Sequence, residues 1–462
     1  MSLSVFEAAR EVPEVPALIL DDRVWTWAAL AREAHAVAVQ LLTRGLPHRD
    51  SDALVAVVLR RRPEDAILVH ALVACAIPFA PVHPRLTSVE REALLGRLRP
   101  RLFVEDAREL FGGDAPPVES LPSGPFDPEA PLSVLHTSGT TGRPRGIVLS
   151  RRAFLASARA SAANLGVRPD DRWLLAMPLS HVGGLSILMR ALLDRQPTVL
   201  YPEGPFEPAS VIDTVDRARV TLLSAVPTTL SRLLDHRPRW RSPAHLRAIL
   251  LGGAAASPAL LARARERGLP VLTTYGLTEA CSQVATQRPG TPPGPESGVG
   301  VPLPGVEVQI AEGVIRVRGP TLLSGTLPPG EGPALDAEGW LATGDLGRLD
   351  EAGRLHVLGR RTELIVTGGE NVFPAEVERA LEGLEGVRAA CVFGRPDAHW
   401  GQAVIAAVEG DGLDPEVLGR VLRNRLAAHK LPKRIHVHAA LPRTASGKVD
   451  RAATARRCAD VG

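Results

Sequence analysis

Lysine is nearly missing from this chain: it occurs only at positions 430, 433 and 448, although Lys and Arg together number 54. A position that keeps lysine against such a bias is one that needs a compact ammonium rather than a planar guanidinium. Aromatic residues are scarce too, at 4% with two tyrosines in 462 residues, so the stacking platforms that hold single-stranded bases are not available. The basic residues are balanced by 51 acidic ones, leaving +3, and are scattered rather than gathered in a stripe or tail, which argues against nucleic acid as a partner. The four cysteines, Cys75, Cys281, Cys391 and Cys458, form no CxxC pair. That speaks against a zinc site or a disulfide framework, and they read as free thiols. No basic region followed by an apolar stretch opens the chain, and the apolar run 67–82 is interrupted by His70 and Pro78. A cytoplasmic protein with no membrane span is expected, its homo-oligomeric state left open.

What is present is enough apolar sequence, 45%, for two to four folding units. Short β-branched runs such as Leu54 to Leu59 alternate with helical spacing, as in Pro63 to Ala76. The rhythm continues through strand candidates at Trp173, Thr198, Val220, Ala248 and Val271 and a helix from Ser257 to Arg267, which predicts parallel sheets covered by helices. From Arg288 the texture turns to Gly, Pro and short alternating strands, a small β-rich unit ending near Leu358. Beyond GRRTE a separate pattern begins, with helices expected at Pro374 to Leu384 and Pro415 to Ala428.

Five segments carry chemistry. His136 to Gly146 is rich in hydroxyls and glycine after an apolar strand, as polyphosphate cradles require, although a flexible surface loop has the same composition and no GK[ST] makes it a Walker loop. Thr274-Tyr-Gly-Leu-Thr-Glu-Ala280 follows a strand and so lies where open α/β sheets bind ligands; a capped strand-to-helix turn would explain its Thr and Glu equally. Trp340 to Leu346 holds Asp345 in a tight turn, Gly359 to Pro374 includes GGENVFP, and the tail Leu441 to Arg451 surrounds Lys448.

In order and spacing these segments resemble, over essentially the whole chain, the adenylate-forming superfamily of acyl-CoA synthetases, amino-acid adenylation domains and luciferases. The resemblance implies an α/β fold: a large N-terminal domain (1–358) of two α/β subdomains plus a small β-barrel-like unit, a hinge (359–363) pivoting at Thr362, and a small mobile α+β C-terminal domain (364–462). It implies ATP, Mg²⁺ and coenzyme A as cofactors and a small carboxylic acid as substrate. Thr137, Ser138, Gly139, Thr140, Thr141 and Gly142 would hold phosphates, while Thr278 would meet the α-phosphate and Glu279 the metal. Tyr275 with Gly276 would stack on adenine, with Gly252, Gly253 and Ala254 on the other side of the base; Asp345 and Arg360 would bind ribose. Lys448 matches the catalytic lysine, and Gly368, Gly369 and Lys430 would lie near CoA. Arg145 departs from the family, whose members mostly carry Lys there.

The acyl pocket implied by the resemblance is built from His181, Gly184, Ser282 and Gln283, with Arg190 reaching a second carboxylate of an aromatic acid. A CoA ligase for another aromatic or fatty acid, a stand-alone amino-acid adenylation domain and a non-catalytic binding protein remain alternatives. The amino-acid reading is weakened by the absence of an Asp for the α-ammonium, and the non-catalytic one by retention of Lys448, Glu279 and Asp345.

Overall fold

The computed structural model describes residues 2–46, 53–112, 126–137, 145–292, 294–397, 399–444 and 447–459. A six-stranded sheet runs in the order Gly325–Leu327, Arg145–Ser150, Pro131–Thr137, Phe79–Val82, Val55–Val58, Leu102–Val104. Its interior pairs are parallel and its Arg145–Ser150 and Gly325–Leu327 edge is antiparallel. A nine-stranded sheet is likewise parallel from Pro16–Leu20 through Thr198–Leu200, Trp173–Leu175, Leu222–Ala225 and Ala248–Leu251 to Val271–Leu277, then antiparallel through Ser282–Thr286 and Val301–Pro302. The central strands are buried on both faces, which is why they read as unbroken apolar runs. Pro supplies the first turn of several covering helices, including Pro63–Cys75, Pro227–His236 and Pro258–Glu266, a position where its missing N–H is no loss.

The β-rich unit is a four-stranded antiparallel sheet, Glu307–Ala311, Val314–Arg318, Leu341–Leu349 and Leu355–Arg360. Its last strand runs two residues past the expected boundary at 358 and ends in the 3₁₀ turn Arg361–Glu363. From Ile365 onward a five-stranded sheet carries its own buried side chains on both faces, Val392, Val404 and Leu422 among them on one and Cys391, Ile405 and Cys458 on the other. The helix expected at Pro415 to Ala428 stops at Leu422. Asn424 and Arg425 donate to carbonyls three residues back, so the helix tightens into turns instead of continuing.

Candidate functional site

Three residues from distant segments converge at the end of Val271–Leu277. The phenol of buried Tyr275 donates to Asp345 Oδ2 at 2.5 Å, and Arg360 Nε pairs with Asp345 Oδ1 at 2.7 Å. Asp345 and Arg360 are direct cross-strand partners in the four-stranded sheet, and Thr343 braces both, its hydroxyl accepting Asp345 N–H and its carbonyl accepting Arg360. Burial pushes the Asp345 carboxyl up, while Arg360 and the Tyr275 hydrogen bond pull it back. Burial and Asp345 together raise the Tyr275 phenol, so it stays a neutral donor with a fixed ring plane. Gly276 is required here: a Cβ would stand 1.8 Å from the Ser282 carbonyl. At Gly252 a Cβ would meet Thr274 Cγ2 at 2.7 Å, and the exposed Ala254 follows in the same loop.

Lys448 arrives from the C-terminal unit. A Cβ built on Gly253 would lie 3.6 Å from Lys448 Cε and 3.8 Å from its Nζ. The residue as a whole is exposed, yet desolvation of its ammonium end and the nearby Arg360 lower its pKa, with Asp345 opposing. Its backbone is a tight hairpin: Thr444 N–H donates to Lys448 O at 2.8 Å, and Arg443 and Val449 form a β-bridge.

Thr278 and Glu279 lie in the 3₁₀ turn Thr278–Ala280 that follows Tyr275. Among the described residues the half-buried Glu279 carboxylate makes no ion pair or hydrogen bond, its backbone carbonyl alone being taken, by Leu323 N–H. Two free hard oxygens fit Mg²⁺, which takes few protein carboxylates and completes its shell with phosphate and water. Cys281 (φ 50°) and Ser282 (φ 95°) both adopt positive-φ backbone directly after this turn, which is uncommon for non-glycine residues. Thr137 ends Pro131–Thr137 opposite Arg145; Ser138, Gly139, Thr140, Thr141 and Gly142 lie outside the described residues.

At the acyl end His181 precedes helix Val182–Asp194, and Gly184 lets that helix start close to the chain, since a Cβ there would stand 2.1 Å from Pro178 O. The His181 Nε2 is buried with no partner among the described residues, and burial, with His83 and Lys448 nearby, pushes the ring down to about 4. The ring is neutral near pH 7. His83, 5.9 Å from His181 between ring centroids, was not singled out by the sequence; it lies outside every motif and carries no signal of its own.

Arg190 is 3% exposed. Its Nη2 donates to Ser282 Oγ at 3.2 Å, its Cζ lies 5.7 Å from the Trp173 ring centroid, and its Nε is buried without a partner among the described residues. Burial lowers it to about 10, so it keeps its charge. Nine residues of helix separate it from His181 by about 13.5 Å and half a rotation, so the two do not meet; Arg190 is joined to the site through Ser282. Gln283 donates to Thr286 Oγ1 at 2.8 Å, and its buried Oε1 has no partner among the described residues.

Gly368 and Gly369 form the turn between Ile365–Thr367 and Glu370–Val372, with Gly368 N–H donating to Trp400 O at 2.8 Å. Lys430 is held by Glu376 at 2.7 and 2.9 Å. Thr362 is exposed within its 3₁₀ turn. No helix among the described residues is long and apolar enough to cross a membrane.

Comparison with known proteins matches residues 5–325 to the AMP-binding enzyme family and 376–448 to the AMP-binding enzyme C-terminal domain. The 2-succinylbenzoate-CoA ligase of Bacillus pumilus is 36% identical over 95% of this chain and 94% of its own length, and that of Bacillus subtilis 34% identical over 96% of each. The o-succinylbenzoate CoA synthetase of Bacillus subtilis in complex with the acyl-adenylate intermediate OSB-AMP superposes with a TM-score of 0.89 at 33% identity, covering 98% of this chain and 97% of that one. A double mutant of the same enzyme bound to the product analogue OSB-NCoA gives 0.72 at 33% identity and 98% coverage of both chains.

Proposed function

The chain belongs to the AMP-binding enzyme family, and from that premise we propose that it is an AMP-forming CoA ligase acting on o-succinylbenzoate, in menaquinone biosynthesis. The observation that carries the mechanism is the approach of Lys448 to Gly253, beside the Tyr275, Asp345 and Arg360 cluster. In the first half-reaction a substrate carboxylate oxygen attacks the α-phosphorus of ATP and pyrophosphate leaves. The Lys448 ammonium bridges attacking carboxylate and phosphoryl oxygen, stabilising charge that grows in the transition state. Tyr275 stacks on the base and Asp345, with lone pairs to spare beyond its two present partners, accepts ribose hydroxyls beside Arg360. Thr278 contacts the α-phosphate, and Glu279 would hold Mg²⁺, which supplies positive charge to the departing pyrophosphate.

In the second half-reaction the CoA thiol attacks the acyl carbonyl, AMP leaves, and Lys448 has no part. The C-terminal unit turns about Thr362 between the two, bringing Gly368, Gly369 and Lys430 toward CoA. This chain superposes more closely on the Bacillus subtilis enzyme in complex with its acyl-adenylate (TM-score 0.89) than on the double mutant bound to the product analogue (0.72), which supports an adenylation pose here. Buried Arg190 makes no salt bridge among the described residues, although the Asp194 carboxylate lies near enough to favour its charge, and with Ser282 it is suited to grip the benzoate carboxylate through parallel hydrogen bonds. A panel of acids with ATP and CoA, scored by AMP release, tests the assignment: o-succinylbenzoate should give the highest kcat/KM, and a monocarboxylic aromatic or fatty acid that surpasses it overturns it.

A further inference from the structure

Arg451, last residue of the Lys448 motif, has no task in this mechanism, yet it is among the most heavily tied side chains of the C-terminal unit. It opens helix Arg451–Ala459, three residues after Lys448. Its Nη2 pairs with Glu363 Oε2 at 3.2 Å, while Nη1 pairs with Glu378 of helix Pro374–Glu382 and donates to the Val392 carbonyl of strand Ala389–Asp397. The Glu378 oxygen is itself fixed, accepting Val392 N–H at 2.8 Å. Burial works against the guanidinium charge, but Glu378 and Glu363 together hold its pKa above the ordinary value. Glu363 is the last residue of the turn Arg361–Glu363. One guanidinium therefore joins the chain just past the proposed pivot to the chain just past Lys448.

The other foot of the hairpin is secured in the same manner. Arg443 pairs with Glu409 at 2.9 Å, and the same Glu409 oxygen accepts Leu441 N–H at 3.0 Å. Between these feet Gly447 faces the N-terminal part, where a Cβ on it would lie 3.5 Å from Thr228 Oγ1.

We propose that Arg451, acting through Glu363, is a positioning residue for adenylation: it fixes the vector from the pivot to Lys448, so that rotation of the unit delivers the ammonium in register. Both partners follow Thr362 in the chain, so the strut travels with the unit rather than breaking as it turns. Lysine is a flexible stem with a point charge, and its reach is defined only as well as the backbone that carries it. The proposal rests on the adenylation role of Lys448. It makes adenylation, and not transfer to CoA, the half-reaction that depends on the strut.

The test is Glu363→Gln and Arg451→Lys, assayed by pyrophosphate exchange and by transfer of synthetic acyl-AMP to CoA, with Lys448→Ala alongside. Glu363 is half-buried, so its replacement keeps the fold even where a change at Arg451 does not. Glu363→Gln should lower the kcat of adenylation on the order of 10-fold, as expected of a misplacement near an ångström, with KM for ATP and acid unchanged. Transfer should keep its rate. Arg451→Lys, which keeps the charge but not the fork, should lose a similar factor, and the double variant no more than either single one. Equal losses in both half-reactions, or intact adenylation where Lys448→Ala abolishes it, overturn the proposal. Intact adenylation in Lys448→Ala overturns the reading beneath it and the proposal together.

Discussion

Tyr275 and Asp345, 70 positions apart, are joined by a 2.5 Å hydrogen bond from phenol to carboxylate. The bond ties the end of a parallel-sheet strand to a separate antiparallel sheet, and Arg360 completes it from the next strand. Tyr275→Phe keeps the ring but leaves the 6% exposed Asp345 with Arg360 alone. Losing one hydrogen bond to a buried charged group should cost about 1.5–3 kcal/mol, read as a rise in KM for ATP in pyrophosphate exchange with little change in acid affinity. A lower melting temperature with unchanged KM would make the bond purely structural.

Arg190→Leu should lower kcat/KM for o-succinylbenzoate on the order of 10²-fold, the scale for truncating one partner of a buried charged pair, while KM for ATP holds. The same variant should barely distinguish o-succinylbenzoate from its analogue lacking the benzoate carboxylate. Loss of ATP affinity instead would assign Arg190 to the packing around Trp173 and Ser282.

Thr362→Pro should impair transfer to CoA far more than adenylation. Proline's fixed φ restricts the excursion of the turn Arg361–Glu363 to a second pose. Comparable losses in both half-reactions would move the pivot elsewhere in 359–363.

His70, His136 and His181 are each pushed down to about 4 from 6.5, in every case mainly by burial. At these three rings the unfolded chain binds more protons than the native one between those values, so their contribution to stability is full above about pH 6.5 and falls as pH drops toward 4. Asp194 and Glu382, whose carboxyls burial raises to about 6 and about 7, act in the opposite direction over the same range, so the test is a difference. Between pH 7 and pH 5 the urea midpoint of His70→Phe, which retains the edge contact with Trp27, should fall less than that of the unmodified protein, by at most about 1.4 kcal/mol per pH unit. Identical pH profiles for the two would contradict the burial of this ring.

Tyr275, Asp345, Arg360 and Lys448 were legible because each sits in a motif dense in glycines and hydroxyls, and because lysine is so rare among the arginines; Asp345, expected in a tight turn, instead lies within strand Leu341–Leu349, where the pairing with Arg360 fixes it. The separation of His181 from Arg190 was not legible. Closeness in sequence suggested one pocket wall, whereas a helix carries residues nine apart to opposite sides. The positive-φ Cys281 and Ser282 left no trace either, since no glycine or asparagine marks the spot and the sheet pairing of Gly276 with Gln283 imposes the reversal from outside. His83 was invisible for a similar reason: only the meeting of two sheets brings it to His181.

The separate core beyond Ile365 has a consequence for the enzyme under heat. A unit that buries its own apolar side chains and is joined to the rest through a three-residue turn melts on its own terms, since cooperativity does not extend across so thin a covalent and packing connection. Calorimetry should resolve two transitions, and activity should vanish at the first of them, with most of the helix and sheet signal still intact, because the only ammonium the reaction uses is carried by the smaller part.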